Sequence, residues 1–488
     1  MKKLIIFGVF LLLSCSKNEQ QVKDTSKEPF VQEKTTISLS SIPFTRVEEL
    51  NTFSEYPEIV DYQLARKLAF IELKETGFAE EMGWGSFTLS STPIVIYNLK
   101  SIPRYYDYIV IDPEEKPIGT LRVNANRENS TLIKAVCSSI TDYNRLLSKS
   151  LERTPSLFEN WLGAQYVGLK GAIGEPPSQL IENNSGLSVS SDEIKELEGE
   201  EIIEYLLQNV YSQILPIEEK AFETLPNHFF EIDSVKAEID YSKKITIEQV
   251  RDSMQSNLND IRKNAKNFWY EIENNKEVFS QMTDEELVTG GTKFWGRIIR
   301  VFRRIFSFRT DRNSTVIEKY ERNIYNYPRR GWCGPWVCGY IVYANQKIDK
   351  YSFFENCAST FGEFGEANVL LRFLGRPMTP AEMSWSMPIA SLGRIRIEPS
   401  LYHRDMYAYD QIKNNKRPVI LLCGVVDQKK RWNAHWTLAY GAKQTGSYLW
   451  RNYYFLQIDN GAKIKTIGDS EKNYHQVDWW NAWLMVWD

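Results

Sequence analysis

Apolar residues recur along this chain in two rhythms, and the changes of rhythm mark out its regions. In "YQLARKLAFIEL" (62–73), Leu64, Leu68 and Ile71 fall near one face of a 3.6-residue repeat, which predicts an amphipathic helix. "TPIVIYNL" and "YYDYIVID" then gather β-branched and aromatic residues, and "PEEKPIG" separates the latter from "TLRVNA". Strand-like runs on either side of a Pro- and Gly-containing turn predict a hairpin. Residues 45–171 are therefore expected to form an α+β domain, followed by a Gly-, Pro-, Ser- and Asn-rich linker over 172–192.

Residues 193–317 change to a helical rhythm. "DEIKELEGEEIIEYLLQNVYSQIL" opens with an acidic turn after serines, and "TIEQVRDSMQSNLNDIRKNAKNFWYEIENN" predicts a long polar helix with a narrow apolar stripe. In "TKFWGRIIRVFRRIFSFRTDR", Phe294, Ile298, Phe302 and Ile305 recur at three and four residues, with Arg297, Arg300, Arg303 and Arg304 between them and Arg309 just after. Such a helix suits a membrane surface, but a helix docked on a neighbouring domain with its arginines in solvent is the more ordinary reading. From 318 to the end, a helical stretch precedes the β-like runs "RPVILLCGVV", "HWTLAYGA" and "NYYFLQID", which predicts a helix leading into an antiparallel sheet, an α+β class.

The first residues follow a different plan. "MKKLIIFGVFLLLSC" has a basic start and an apolar run of about ten residues, too short to span a bilayer, and reads as a secretory signal. Its end, Leu12-Leu13-Ser14-Cys15, resembles the bacterial lipoprotein signal. That resemblance implies residues 1–15 as a cleaved signal, a lipid on Cys15, and anchorage at the cell envelope. The polar stretch 16–44 then reads as a disordered tether. The net charge of −4 on 488 residues, with no long like-charge run, gives no support for a nucleic-acid partner. Besides Cys15 there are five cysteines, at 137, 333, 338, 357 and 423, and an odd number in an oxidising compartment leaves at least one unpaired.

The stretch "GWCGPWVCGY" (331–340) carries the candidate chemistry. Pro335 suits the first turn of a helix, so Cys333 is expected at a helix N-terminus, where unpaired N–H groups and the dipole favour a thiolate. The following glycine lets a carbonyl group approach the backbone donors that would hold an oxyanion. A cysteine nucleophile needs a base, and the chain has four histidines. His228 falls in the helical middle, while His403 and His475 sit in polar, loop-like settings. His435 opens an apolar strand in the tryptophan-rich end of the chain, which suits a base held rigidly at a cleft. Asp459 and Asn460 end another strand, and either could orient the imidazole, with Asp459 favoured. Ordinary turn chemistry explains Asp-Asn-Gly equally simply.

Cys-Gly-Pro at a helix start, "RPVILL", "AHWTLAYGA" and a strand ending in Asp or Asn resemble, in that order, a papain-like cysteine peptidase, in the style of streptopain and bacteriocin-leader peptidases. The resemblance covers about residues 320–488, within an expected catalytic domain of 318–488. It implies Cys333 as nucleophile, His435 as proton shuttle, Asp459 or Asn460 as orienter, and a peptide or protein substrate. It implies no metal and no organic cofactor. The glutamine that papain carries six residues before its cysteine is Tyr327 here, and Asn326 is the nearest amide for the oxyanion. The N-terminal α+β region faintly resembles the inhibitory prodomain of streptopain-like peptidases, which implies a zymogen. Arg303-Arg304 and Arg329-Arg330 would suit an activating protease, with a cut near 304–312 the more sensible. Zinc held by Cys333, Cys338, Cys423 and His435 is disfavoured, because a spacing of five turns two helical side chains to different faces. A disulfide at Cys333 is no better supported. Two further readings stay open: a transglutaminase-like or amidase acyl transfer, and a silent lipoprotein that binds or inhibits a partner peptidase.

Overall fold

The computed structural model describes residues 38–212 apart from 129–131, 151, 153, 178, 183–187, 191–193 and 195; 245–283; 300–301; 310–321 apart from 312; 333–346; 378–398 apart from 392–393; 400–426; 432–446; 451–458; and 473–487. The first predicted helix forms where its apolar spacing required. Helix α1 (Tyr62–Glu75) starts after Asp61, whose carboxylate accepts the N–H of Leu64 at 2.8 Å. Leu68 and Ile71 are fully buried, each worth roughly 1.5–3 kcal/mol of burial. The helix ends at Gly77, which takes a left-handed φ of 76°, and a single turn, α2 (Phe78–Glu81), follows.

The hairpin also forms. Strand β1 (Ile94–Tyr97) leads into β2 (Pro103–Ile111) and β3 (Pro117–Asn124), which pair antiparallel across the turn at 112–116, and β4 (Ile133–Cys137) joins β3. Four short strands follow: β5 (Ser156–Glu159), β6 (Gln165–Gly168), β7 (Leu180–Glu182) and β8 (Ser188–Val189). The last two lie in the stretch that reads as a linker, where they lengthen the sheet.

In the helical middle, Thr246 and Gln249 form a reciprocal capping box at the start of α3 (Ile247–Asn274). Val250, Met254, Leu258, Ala265, Phe268, Trp269 and Ile272 make its narrow buried stripe, as the polar pattern predicts. The preceding helix is shorter than expected. It begins at Glu200, after Gly199 with φ 51°, and its α-helical turns end at Leu206 in a π turn through Tyr211. The residues before Gly199 are engaged otherwise: Glu196 pairs with Arg104 and Glu198 with Lys100. Most of the arginine-rich stretch 292–312 lies outside the described residues.

The C-terminal part supplies helices α4 (Cys333–Gln346), α5 (Pro380–Ala390) and α6 (Asp405–Asn415). Its strands are β9 (Arg396–Ile397), β10 (Val419–Val426), β11 (Trp432–Gly446), β12 (Arg451–Ile458), β13 (Asn473–His475) and β14 (Ala482–Trp487). All join one mixed α+β assembly, in the strand order β9-β14-β10-β11-β12-β13-β4-β3-β2-β1-β5-β6-β7-β8. Every neighbouring pair is antiparallel except β1 and β5.

The short strand β13 is the junction. It pairs with β12 through Phe455 and His475, and with β4 through Asn473–Cys137, Tyr474–Val136 and His475–Ala135. Beneath it, Glu81 of α2 receives Lys443 Nζ of β11 at 2.6 Å, the Tyr474 hydroxyl at 2.6 Å and the Ser314 N–H at 2.8 Å. The Phe78 ring lies edge-on to Tyr454 and Tyr474, with centroids 4.9 and 5.3 Å away. Residues 38–488 thus form one unit. Among the described residues, no helix is long and apolar enough to cross a membrane.

Candidate active site

Helix α4 is apolar all round: Trp336, Val337, Cys338, Tyr340, Ile341 and Val342 are buried, as befits a helix enclosed by its neighbours. The Trp336 ring stacks on Tyr340 at 5.2 Å, and the Tyr340 hydroxyl donates to the Tyr320 carbonyl at 2.6 Å. These contacts hold the helix firmly, and Cys333 is its first residue. Gly334 explains part of the local sequence. A Cβ there would come within 2.8 Å of Met378 Cβ and 2.9 Å of its Cγ, so the position tolerates no side chain without movement. The Met378 carbonyl in turn accepts the indole N–H of Trp436 at 2.9 Å, tying the segment before α5 to β11.

Trp436 follows His435, the fourth residue of β11. The imidazole is buried, and His435 sits opposite Cys423 in the β10–β11 ladder. The Cys423 thiol donates to the His435 carbonyl at 3.4 Å, so it engages the backbone there. Strand β10 thus pairs with the histidine and the start of α4 meets it, which is a rigid way to bring two side chains together.

Cys333 and His435, 102 residues apart in sequence (435 − 333), are in hydrogen-bonding contact. Burial alone would push the Cys333 thiol up. The hydrogen bond and charge of His435, together with backbone N–H groups of Trp436 and Gly334, outweigh burial and pull it below the ordinary thiol range. Five residues on, Cys338 has no such neighbours: burial, and then the charge of Cys333, push its thiol well up. Cys137, Cys333, Cys338 and Cys423 are all present as thiols.

The other described histidines are engaged elsewhere. His403, expected in a polar loop, is 1% exposed, with Nε2 3.2 Å from the Tyr211 hydroxyl and Nδ1 3.2 Å from Ser253 Oγ. Its side chain packs between the π turn and α3, where burial lowers its pKa to about 4. His475, also expected in a loop, is in strand β13. Burial, then the charges of Arg122 and Lys134, lower it to about 4. Cys15, His228, Asn326, Asp459 and Asn460 lie outside the described residues, as do both dibasic pairs; β12 is described up to Ile458, which pairs with Leu438.

A cavity of about 1060 Å³ lies away from the cysteine. It lies between the β2–β4 and β13 region of the sheet and helix α3, and its lining includes Arg104, Lys134, Asn452 and Asp478. Sequence reasoning singled out none of these residues, because they come from separate segments and form no local motif. The chain matches no protein-family model and no curated protein.

Proposed function

We propose that this chain is a papain-like cysteine hydrolase that cleaves peptide bonds, held at the cell envelope by a lipid on Cys15. The observation that carries the reading is the Cys333–His435 contact at the start of a buried helix, with the thiol pulled down despite its burial. A thiolate–imidazolium pair of this kind is primed for nucleophilic attack.

In the proposed cycle, the Cys333 sulfur adds to the scissile carbonyl carbon, and the carbonyl electron pair moves to oxygen. The Cys333 N–H and an amide such as that of Asn326 hold the oxyanion. As the intermediate collapses, the C–N bond breaks and His435 gives its proton to the departing amine. Water then attacks the acyl-enzyme carbonyl, with His435 taking its proton. Breakage of the C–S bond releases the acid and restores the thiolate. Asp459 or Asn460, which follow β12 in sequence, would orient the imidazole.

The shared sheet bears on activation. Strands on either side of residues 304–312 pair with one another through β13 and β4, so a cut there would leave two pieces joined by a common sheet. We therefore take the N-terminal region to remain in the working enzyme.

The test is intact-protein mass spectrometry after brief exposure to limiting E-64 or iodoacetamide. Single labelling at Cys333 that disappears in His435→Ala is the expected result. Labelling only after limited proteolysis would mean a latent zymogen. An inert Cys333 before and after proteolysis would overturn the peptidase reading.

A further inference from the structure

The cavity between the sheet and α3 has a volume of about 1060 Å³, enough for a ligand of several rings. It is far from the cysteine centre. Asn452, on its wall, pairs with Thr445, ten residues along β11 from His435, or roughly 30 Å of strand.

Several of the charges lining it are already matched. Arg104 pairs with Glu196 at 3.1 Å, Lys134 with Asp478 at 2.8 Å, and Arg404 with Asp260 at 3.2 Å. At one side Lys100 meets Glu198 at 2.9 Å and Arg262 meets Glu200 at 2.5 Å. At these positions a charged ligand would have to displace one member of a pair, whereas an uncharged ligand with many hydroxyls need displace none.

Two donors are left over. Asn452 is 3% exposed and its Nδ2 has no partner, and the buried Nε of Arg127, another lining residue, has none either. Buried donors without acceptors are costly, and in a polar cavity they are places for a ligand's oxygen. Burial also pushes the lining carboxyl of Asp405 up to about 7, so near neutral pH it can donate as well as accept. Trp479 is a partly exposed wall residue, beside Trp480, whose ring meets Trp161 edge-on at 5.5 Å. Indole surface among hydrogen-bonding groups is a suitable combination for the C–H faces and hydroxyls of a sugar.

We propose that this cavity is a binding site for a neutral oligosaccharide, separate from the cysteine centre.

The test is isothermal titration of the full chain with cellotetraose, maltotetraose, chitotetraose and mannotetraose, alongside tetraalanine and tetraglycine as zwitterionic probes. At least one sugar should bind at a single site, with an affinity unchanged between low and high salt because no net charge is matched. Asn452→Ala should weaken it by about fivefold or more through the lost donor. Trp479→Ala, at a less buried position, should weaken it by about tenfold through lost ring contact. Cys333→Ser should bind as the native chain does, which keeps this result independent of the peptidase reading. Absence of binding by all four sugars, binding of the tetrapeptides alone, or sugar binding indifferent to both cavity variants would overturn the proposal.

Discussion

His403 provides a direct measure of what the buried environment does to a titratable group. Its ring is 1% exposed and its pKa falls from 6.5 to about 4 through burial. The unfolded chain therefore binds a proton at this residue between those two values while the folded chain does not. The resulting contribution to stability is fully present above pH 6.5 and is lost as pH falls towards 4 and below. The slope is about 1.4 kcal/mol per pH unit within the window, giving about 2–3 kcal/mol between pH 7.5 and 4.5. Unfolding residues 38–488 carries an entropy near 0.9 kcal/mol/K on the usual per-residue scale, so the effect amounts to about 3 °C in Tm. His475 acts in the same direction. Glu72, Glu196 and Asp405 act in the opposite one, because burial raises their carboxyls to about 8, 7 and 7 and they become costly to ionise as pH rises. The quantity to measure is therefore the difference between native and His403→Gln chains in thermal unfolding scans across pH. Gln keeps polar contacts to Tyr211 and Ser253 within reach and removes the titration. The native chain should lose about 3 °C relative to the variant between pH 7.5 and 4.5. A Tm difference that stays constant with pH would refute the reasoning.

Other consequences can be checked with equally simple measurements. Mild iodoacetamide should label Cys333 at neutral pH and leave Cys338 untouched, as peptide mapping would show; equal labelling would contradict the opposite shifts of the two thiols. The pH profile of Cys333 alkylation should move upward in His435→Ala, since burial then acts with less opposition; an unmoved profile would exclude His435 as the cause. Gly334→Ala should slow Cys333 alkylation and cost about 1–3 kcal/mol in denaturant unfolding, because Met378 blocks the added methyl. Glu81→Ala leaves the fully buried Lys443 without its carboxylate and should cost about 3–5 kcal/mol. Adding Lys443→Met should recover part of that loss; purely additive costs would mean that the two side chains do not act as a pair.

The parts of the molecule legible in the sequence are those governed by neighbours in the chain. Leu64, Leu68 and Ile71 announce α1 because helical spacing alone brings them together, and the turn at 112–116 announces its hairpin through Pro113, Pro117 and Gly119. The helix start at Cys333 was legible because Gly334 and Pro335 mark it within three residues, and the strand at His435 because "HWTLAYGA" is an apolar run. The helix expected over 192–215 begins late for a reason the local pattern does not contain: Glu196 and Glu198 are held by Arg104 and Lys100, about a hundred residues earlier. The burial of His403 depends likewise on Tyr211 and Ser253. "NYH" at 473–475 gives little strand signal, because its partners lie in β4 and β12 and the pairing supplies what propensity lacks.

That pairing also sets an order of events in time. Asn473 joins Cys137 from 336 positions further along the sequence (473 − 137), so β4 is synthesised long before its partner. Until residues 473–475 emerge, the N-terminal strands present an unpaired edge of the kind that recruits other chains. A nascent or truncated chain ending before Asn473 therefore carries an aggregation hazard that a chain with β13 in place hides. Contacts closed over such distances form slowly, and the delay makes a holding chaperone most useful in the interval before β13 is made.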